Sequence, residues 1–269
     1  MPYSRTGGTI SGITQSISDA MYDAYERRLL SEVKAGRIPT HIAVIMDGNR
    51  RFAHQLGLDT QEGYLKGREK LEKLMEWCVE LGIKVITVYA FSTENLMNRP
   101  REEVDRLMRL FEENFRKAAD DPRVHEHKVR IRALGQQNLL PSEVQDAIRY
   151  AEERTKGYDK HFYNIAVAYG GREEIVSAIR KIADDVLGNK VKRDDITEQL
   201  ISSYLYTKDL PDPDLIIRTS GEERISNFLL WQVAYSELYF CDVYWPGFRK
   251  IDLLRAIRSF QMRHRKYGA

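Results

Sequence analysis

The chain has 269 residues, 42% hydrophobic and 30% charged, which suits one α/β domain with a sizeable core or two small domains. Its 42 basic and 40 acidic side chains leave a formal net charge of +2, so there is no general attraction to nucleic acid and any basic site must be local. No N-terminal stretch reads as a signal and no apolar run nears the ~20 residues of a membrane span, so the expected location is cytoplasmic and any membrane contact peripheral. The two cysteines, Cys78 on an apolar helical face and Cys241 in an apolar run, read as buried thiols rather than a disulfide.

Residues 1–38 read as an N-terminal extension. Its first dozen positions are rich in Gly, Ser and Thr and are expected to be mobile. Ile13, Ile17, Met21, Tyr25, Leu29 and Val33 then recur every four residues, which predicts an amphipathic helix with a slowly winding apolar stripe, stopped by Pro39. It is expected to pack on the main domain or a partner subunit, with a membrane-surface helix as the alternative. From His41 onward, apolar runs at 42–46, 84–91, 129–134, 163–169, 214–217 and 238–241 predict six strands. Between them lie helical patterns: Leu71, Leu74, Cys78 and Leu81 with Gly82 as the stop; Val104 to Ala118; Ile175 to Val186. Strands alternating with helices imply a mostly parallel six-stranded sheet flanked by helices, in one domain over 39–269. Near the C-terminus, Leu254, Ile257 and Phe260 predict a packed helix whose Arg255, Arg258, Arg263, Arg265 and Lys266 form a solvated face rather than a nucleic-acid surface.

In such a sheet, ligands sit outside the carboxyl ends of the strands. Three polar clusters follow predicted strands: Asp47-Gly48-Asn49-Arg50-Arg51 after the first, Phe91 to Arg99 after the second, and Arg218 to Asn227 after the fifth. In the first, Gly48 permits close backbone approach, the next helix directs amides at an anion, and Arg50 and Arg51 suit phosphate oxygens. Asp47 would repel a phosphate unless a divalent cation stands between them. Alone, that loop reads equally well as a capped surface turn. Arg218, Arg224 and Ser226, with Gly221, repeat the theme, and two anion sites suggest two phosphorylated ligands. Ser92, Glu94, Asn95 and Arg99 offer hydrogen bonds without a strong base. The six histidines have no zinc-like spacing, and neither GxxxxGK[ST] nor GxGxxG is present.

The segments HIAVIMDGNRR, YAFSTEN, NIAVAYGGR and DLIIRTSGEERISNFLLWQVAYSELYFCDVYWP, in this order from about residue 40 to the C-terminus, resemble the cis-prenyltransferase family, the undecaprenyl diphosphate synthases and their relatives. The resemblance implies a homodimeric α/β fold, a hydrophobic tunnel and Mg²⁺. It also implies successive Z-condensations of isopentenyl diphosphate onto an allylic diphosphate (farnesyl, geranylgeranyl or shorter). The product would be a polyprenyl diphosphate such as undecaprenyl diphosphate, serving lipid glycan carriers. By the same resemblance Asp47 is the metal-linked catalytic residue, with Glu237 completing the metal site. Asn49, Ser92 and Asn95 belong to the catalytic set, the last two in the motif linked with proton removal. Gly48, Asn49, Arg50, Arg51, Phe52, Thr93, Glu94 and Arg99 surround the allylic diphosphate. Arg218, Arg224, Ile225 and Ser226 hold isopentenyl diphosphate. Asn95 is a weak base, so a relay through water or released diphosphate is the better chemistry.

Arg50, Thr60, Tyr64, Leu96 and Glu223 depart from the bacterial pattern and resemble archaeal and eukaryotic members. The alternatives are a non-catalytic subunit of a heteromeric cis-prenyltransferase, which loses the diphosphate machinery kept here, and an unrelated phosphotransferase or nucleotide-binding module. A growing prenyl chain needs an apolar channel. Leu107, Leu110, Phe111 and Phe115 are expected to face it, with Val129 and Ile131 opposite and Phe115 as its floor.

Overall fold

The computed structural model describes the backbone of residues 8–267 and the side chains of residues 21–263. The first seven residues of the Gly-, Ser- and Thr-rich opening lie outside the described residues, as do the side chains of Ile13, Ile17, Arg265 and Lys266. In chain order the elements are α1 (Gly8–Lys34), β1 (His41–Ile45), α2 (Asn49–Gln55), α3 (Thr60–Glu80), β2 (Val85–Ser92), α4 (Thr93–Asn98), α5 (Arg101–Asp120) and α6 (Pro122–Glu126). There follow β3 (Val129–Leu134), α7 (Ser142–Thr155), β4 (His161–Tyr169), α8 (Gly171–Leu187), α9 (Glu198–Tyr204), β5 (Leu215–Arg218), β6 (Glu237–Phe240) and α10 (Lys250–Tyr267).

Cα packing divides the chain into two compact units. One is Pro39–Phe248. The other joins the chain ends, up to Ile38 and from Arg249. The C-terminal segment, read above with the domain beginning at 39, thus packs with the N-terminal one. In that unit α1 lies against α10, and Gln261 Nε2 donates to the carbonyls of Val33 and Arg37 at 2.9 and 3.0 Å. These carbonyls lie at and just past the end of α1, where helix geometry leaves acceptors without intrahelical donors. Leu29 and Val33 are buried while Met21 and Tyr25 are exposed, so the four-residue stripe is covered only in its later part. Leu254, Ile257 and Phe260 are buried.

The larger unit holds a six-stranded sheet in the order β3-β4-β2-β1-β5-β6, and every pairing is parallel. All five residues of β1 are buried, as are the last seven of β4. That is the signature of strands covered on both faces, and it explains why they read as continuous apolar runs rather than alternations. α3 starts on a capping box: Asp59 accepts from Gln61 N at 2.7 Å and Glu62 from Asp59 N at 3.1 Å. It ends before Gly82, whose φ of 73° lies in the left-handed region. Alternate residues of β1 point to opposite faces. Ala43 and Ile45 join Ala166, Ile216, Phe228 and Leu229 in one core cluster. On the opposite face, Met46 lines a cavity roofed by α3 and α5.

β1 steps to β2 on one side, and the chain later returns to β5 on its other side. The three polar clusters, far apart in sequence, therefore leave neighbouring strands at one carboxyl edge. Neither cysteine forms a disulfide; Cys78 is buried and Cys241 half-buried. Among the described residues no helix is long and apolar enough to cross a membrane.

Candidate active site

Asp47 leaves the carboxyl end of β1 on a fixed backbone. Its carbonyl accepts from Thr219 Oγ1 at 2.7 Å and from Trp245 N at 3.0 Å. Gly48 follows at φ 100°, and a Cβ there would stand 2.7 Å from Tyr244 Cδ1 and 3.1 Å from Ser220 Cβ. Both conformation and crowding thus require glycine, and α2 begins at the next residue. The Asp47 carboxylate accepts from Arg218 at 2.8 Å through Oδ2 and from Arg51 at 3.0 Å through Oδ1. Partial burial pushes its pKa up, but the two guanidinium groups outweigh burial and hold it below the usual aspartate value. The Arg218 side chain is only 5% exposed; its Nη2 makes the bond to Asp47, its Nη1 donates to both Ser226 Oγ at 2.8 Å and the Arg224 carbonyl, and its Nε is buried without a partner.

A cleft of about 680 Å³ opens beside this pair. Asp47, Arg50, Asn95, Arg99, Arg218 and Ser226 are among its walls, with Ser92 and Glu94. Ser92 Oγ caps α4 by accepting from Asn95 N at 3.0 Å, and it accepts from Asn95 Nδ2 at 2.8 Å. Asn95 Oδ1 accepts from Arg99 Nε at 2.6 Å, and Arg99 donates onward to Tyr64 Oη at 2.5 Å and Glu103 at 2.9 Å. Tyr64 donates to Glu103 at 2.6 Å, and burial pushes its hydroxyl up to about 12. Burial also opposes ionisation of Glu103, but Tyr64, Arg99 and Arg50 hold its carboxyl below the ordinary glutamate value.

Met46, Ala90 and Arg99 form walls of both this cleft and the cavity of about 200 Å³ between sheet and helices. Leu107, Leu110, Phe111 and Phe115 line the cavity, as the sequence suggested. The opposite wall is Tyr163 and Ile165 of β4, not Val129 and Ile131, because β3 is the outermost strand of the sheet and β4 lies further in. Asn49 Oδ1, Arg68 Nε and Asn114 Oδ1, all on wall residues, are buried without a hydrogen-bond partner. Such a group costs ~1–3 kcal/mol when nothing replaces its water.

The predicted residues are grouped differently from the expectation. Arg50 and Arg99 share the cleft with Arg218 and Ser226. Arg51 and Arg224 lie outside its walls, held to the two oxygens of Glu222 at 3.2 and 2.5 Å. Gly48, Phe52, Thr93 and Ile225 do not line the cleft, and Asn49 faces the cavity instead. Glu237 does not join Asp47 in a metal set within one chain. It opens β6 opposite Leu215, which pairs with Ile42, so Asp47 lies five residues further along the strand direction, roughly 16 Å. No group of three or more metal-ligating side chains occurs among the described residues. Asn227 and Glu103 were not singled out in sequence. Asn227 donates to Glu94 at 2.9 Å and accepts from Arg172 N at 2.9 Å, joining the second, fourth and fifth strand ends. Glu103 carried a local signal, an acid four residues after Arg99.

A parallel sheet whose carboxyl edge gathers arginines about one carboxylate, beside a cavity with a largely apolar roof, suits a ligand with an anionic head and an apolar tail. The chain belongs to the undecaprenyl diphosphate synthase family of cis-prenyltransferases, whose family model matches residues 45–268. It is 58% identical over 248 residues to the tritrans,polycis-undecaprenyl-diphosphate synthase (geranylgeranyl-diphosphate specific) of Methanopyrus kandleri, covering 92% of this chain and 91% of that one. The protein of the same name from Pyrococcus furiosus is 55% identical over 259 residues, covering 96% and 98%. The structure is similar to lavandulyl diphosphate synthase from Lavandula x intermedia in complex with dimethylallyl diphosphate. The TM-score is 0.78 and the identity 38%, over 86% of this chain and 96% of that one. A probable undecaprenyl diphosphate synthase from Campylobacter jejuni gives a TM-score of 0.69 at 34% identity, over 87% and 100%.

Proposed function

We propose that this enzyme adds isopentenyl diphosphate, in successive Z-condensations, to geranylgeranyl diphosphate and so makes tritrans,polycis-undecaprenyl diphosphate. The observation that carries this reading is the shared wall of Met46, Ala90 and Arg99 between an arginine-lined cleft and an apolar cavity. A prenyl diphosphate has one part for each. The starter named for the Methanopyrus and Pyrococcus relatives supports the same starter here. Membership of a non-catalytic subunit class is disfavoured, because Asp47, Arg218 and Arg99 remain joined in networks at the cleft.

In each round the allylic C–O bond breaks, the isopentenyl double bond forms the new C–C bond, and a proton leaves. Arg50 and Arg99 bind the departing diphosphate and offset its growing charge, in a site where such stabilisation is usually the largest contribution to rate. Arg218 and Ser226 orient isopentenyl diphosphate, with Arg224 at the margin. Asp47 fixes the Arg218 fork toward the cleft. Ser92 and Asn95, with no basic group between them, sit beside Arg99, where the proton leaves through water or the released diphosphate rather than to a side-chain base. Asp47 fits Mg²⁺, because one carboxylate plus phosphate oxygens is a usual magnesium donor set. Bound there, the ion would neutralise diphosphate charge. Glu237 does not fit the same ion within one chain. A homodimer through the β6 side of the sheet, where Tyr235 is fully exposed, is part of this reading.

The test is condensation by purified protein, with labelled isopentenyl diphosphate and starters from C5 to C20, with Mg²⁺ or excess chelator. The expected result is metal-dependent polyprenyl diphosphate, made fastest from the C20 starter. No elongation of any starter would sink the reading, and a faster reaction from a shorter starter would correct it.

A further inference from the structure

The cavity changes character along its length. Along α5 from the Arg99 end, its roof is first Leu107, Leu110 and Phe111. Farther on, Asn114 enters the wall about 20 Å along α5 from Arg101. Arg68 and Glu72, one helical turn apart on α3, and Tyr163 of β4 also belong to the lining. Glu72 is tied to α5 by Lys117 at 2.7 Å, three residues past Asn114, and reaches Arg123 at 3.5 Å. Burial and the charge of Glu72 both raise the pKa of Tyr163, so its hydroxyl stays protonated. Asn114 Oδ1 and Arg68 Nε have no hydrogen-bond partner. A side-chain amide and a guanidinium are poor company for hydrocarbon, and a lining meant only to hold a prenyl tail would not contain them.

We propose that this polar layer of Asn114, Arg68 and Glu72 sets the length of the product. The inference rests on the function proposed above and deepens it. A growing prenyl chain gains by filling the apolar stretch. Once its end reaches the layer, each further unit excludes the water that could serve Asn114 and Arg68 and offers no donor or acceptor in exchange. Elongation therefore stalls where the wall turns polar, and the finished chain leaves. The mechanism differs from a floor made of bulk, the role that Phe115 alone would have, because it depends on polarity at constant volume.

Two variants that keep the branched four-atom side-chain skeleton separate the mechanisms, since the slightly larger Leu would shorten the product if bulk alone were the limit. Asn114→Leu removes the amide, and Asn114→Asp adds a charge that is harder to bury. With wild-type protein as reference and thermal unfolding as the check on folding, products made from the C20 starter are separated by chain length. The expected result is a main product at least one C5 unit longer for Asn114→Leu and at least one shorter for Asn114→Asp. Each variant carries the test alone if the other fails to fold. Unchanged lengths from folded, active variants, or a shift in the same direction for both, would overturn the inference while leaving the proposed activity intact. A wild-type enzyme that elongates no starter would instead overturn the function, and the inference with it.

Discussion

Arg218 donates to Asp47 across 171 positions of sequence, at 2.8 Å, with its own side chain almost fully buried. The pair joins the ends of β1 and β5, so it serves both the site and the fold. Asp47→Ala is therefore expected to do two things. Turnover should fall about 10²-fold or more, the usual cost of losing transition-state charge stabilisation. The protein should also lose about 2 kcal/mol of stability, less than the ~3–5 kcal/mol of a fully buried pair because Asp47 is partly solvated. Kinetics at saturating substrate and thermal unfolding of Asp47→Ala beside Asp47→Asn would decide it. Wild-type stability in the alanine variant would mean that Arg218 finds another partner.

Arg218 and Arg224 were alike in the sequence and are unlike in the structure. Both replacements by alanine should raise KM for isopentenyl diphosphate more than for the allylic starter. Only Arg218→Ala should also destabilise the protein, because the Arg224 side chain is 60% exposed and its ion pair with Glu222 is worth at most about 1 kcal/mol. A larger effect of either change on the starter would reverse the assignment of the two diphosphate sites.

Glu103 positions Arg99 without lining the cleft itself. Glu103→Gln keeps the shape and removes the charge. The expected outcome is about a ten-fold fall in kcat/KM for the allylic diphosphate, the scale of a slightly misplaced binding group, with KM for isopentenyl diphosphate unchanged. Steady-state kinetics with each substrate varied in turn checks it. An equal effect on both substrates would place Arg99 between the two diphosphates.

His41 is buried at the start of β1, with Nε2 2.8 Å from Thr87 Oγ1 and Nδ1 2.7 Å from the Pro211 carbonyl. Burial lowers its pKa from 6.5 to about 4, so the folded ring stays neutral where the unfolded ring takes a proton. Between these values the unfolded state binds more protons, so stability rises with pH and falls as pH drops from 6.5 toward 4. This one group accounts for about 3 kcal/mol over that window and nothing further below it. Urea unfolding at pH 7 and pH 4.5 measures the loss, and His41→Gln should abolish most of it. The same pH dependence in both proteins would assign the loss to other groups.

Much of this protein is written locally. Six runs rich in apolar residues located six strands to within two residues at each end; β1 and β4, buried along nearly their whole length, read as continuous runs, whereas β3 alternates between buried and half-buried positions. The motifs after β1 and β5 were legible because a glycine, an acid and arginines at a strand end are a chemical pattern in consecutive residues, and that after β2 because Ser92, Glu94, Asn95 and Arg99 crowd hydrogen-bonding groups into one short stretch. Partnership was not legible. Arg50 and Arg51 are adjacent, yet one faces the cleft and the other turns to Glu222, a choice fixed by the helical rotation between them and by the neighbouring β5 loop. Glu237 follows a recognisable motif but enters β6 at the opposite end of the sheet from Asp47, because register rather than sequence distance decides which carboxylates can meet. The polar layer in the cavity was equally hidden. Arg68, Glu72 and Asn114 are ordinary on helices of mixed composition, and only the packing of α3 and α5 against β4 turned them toward the same enclosed space.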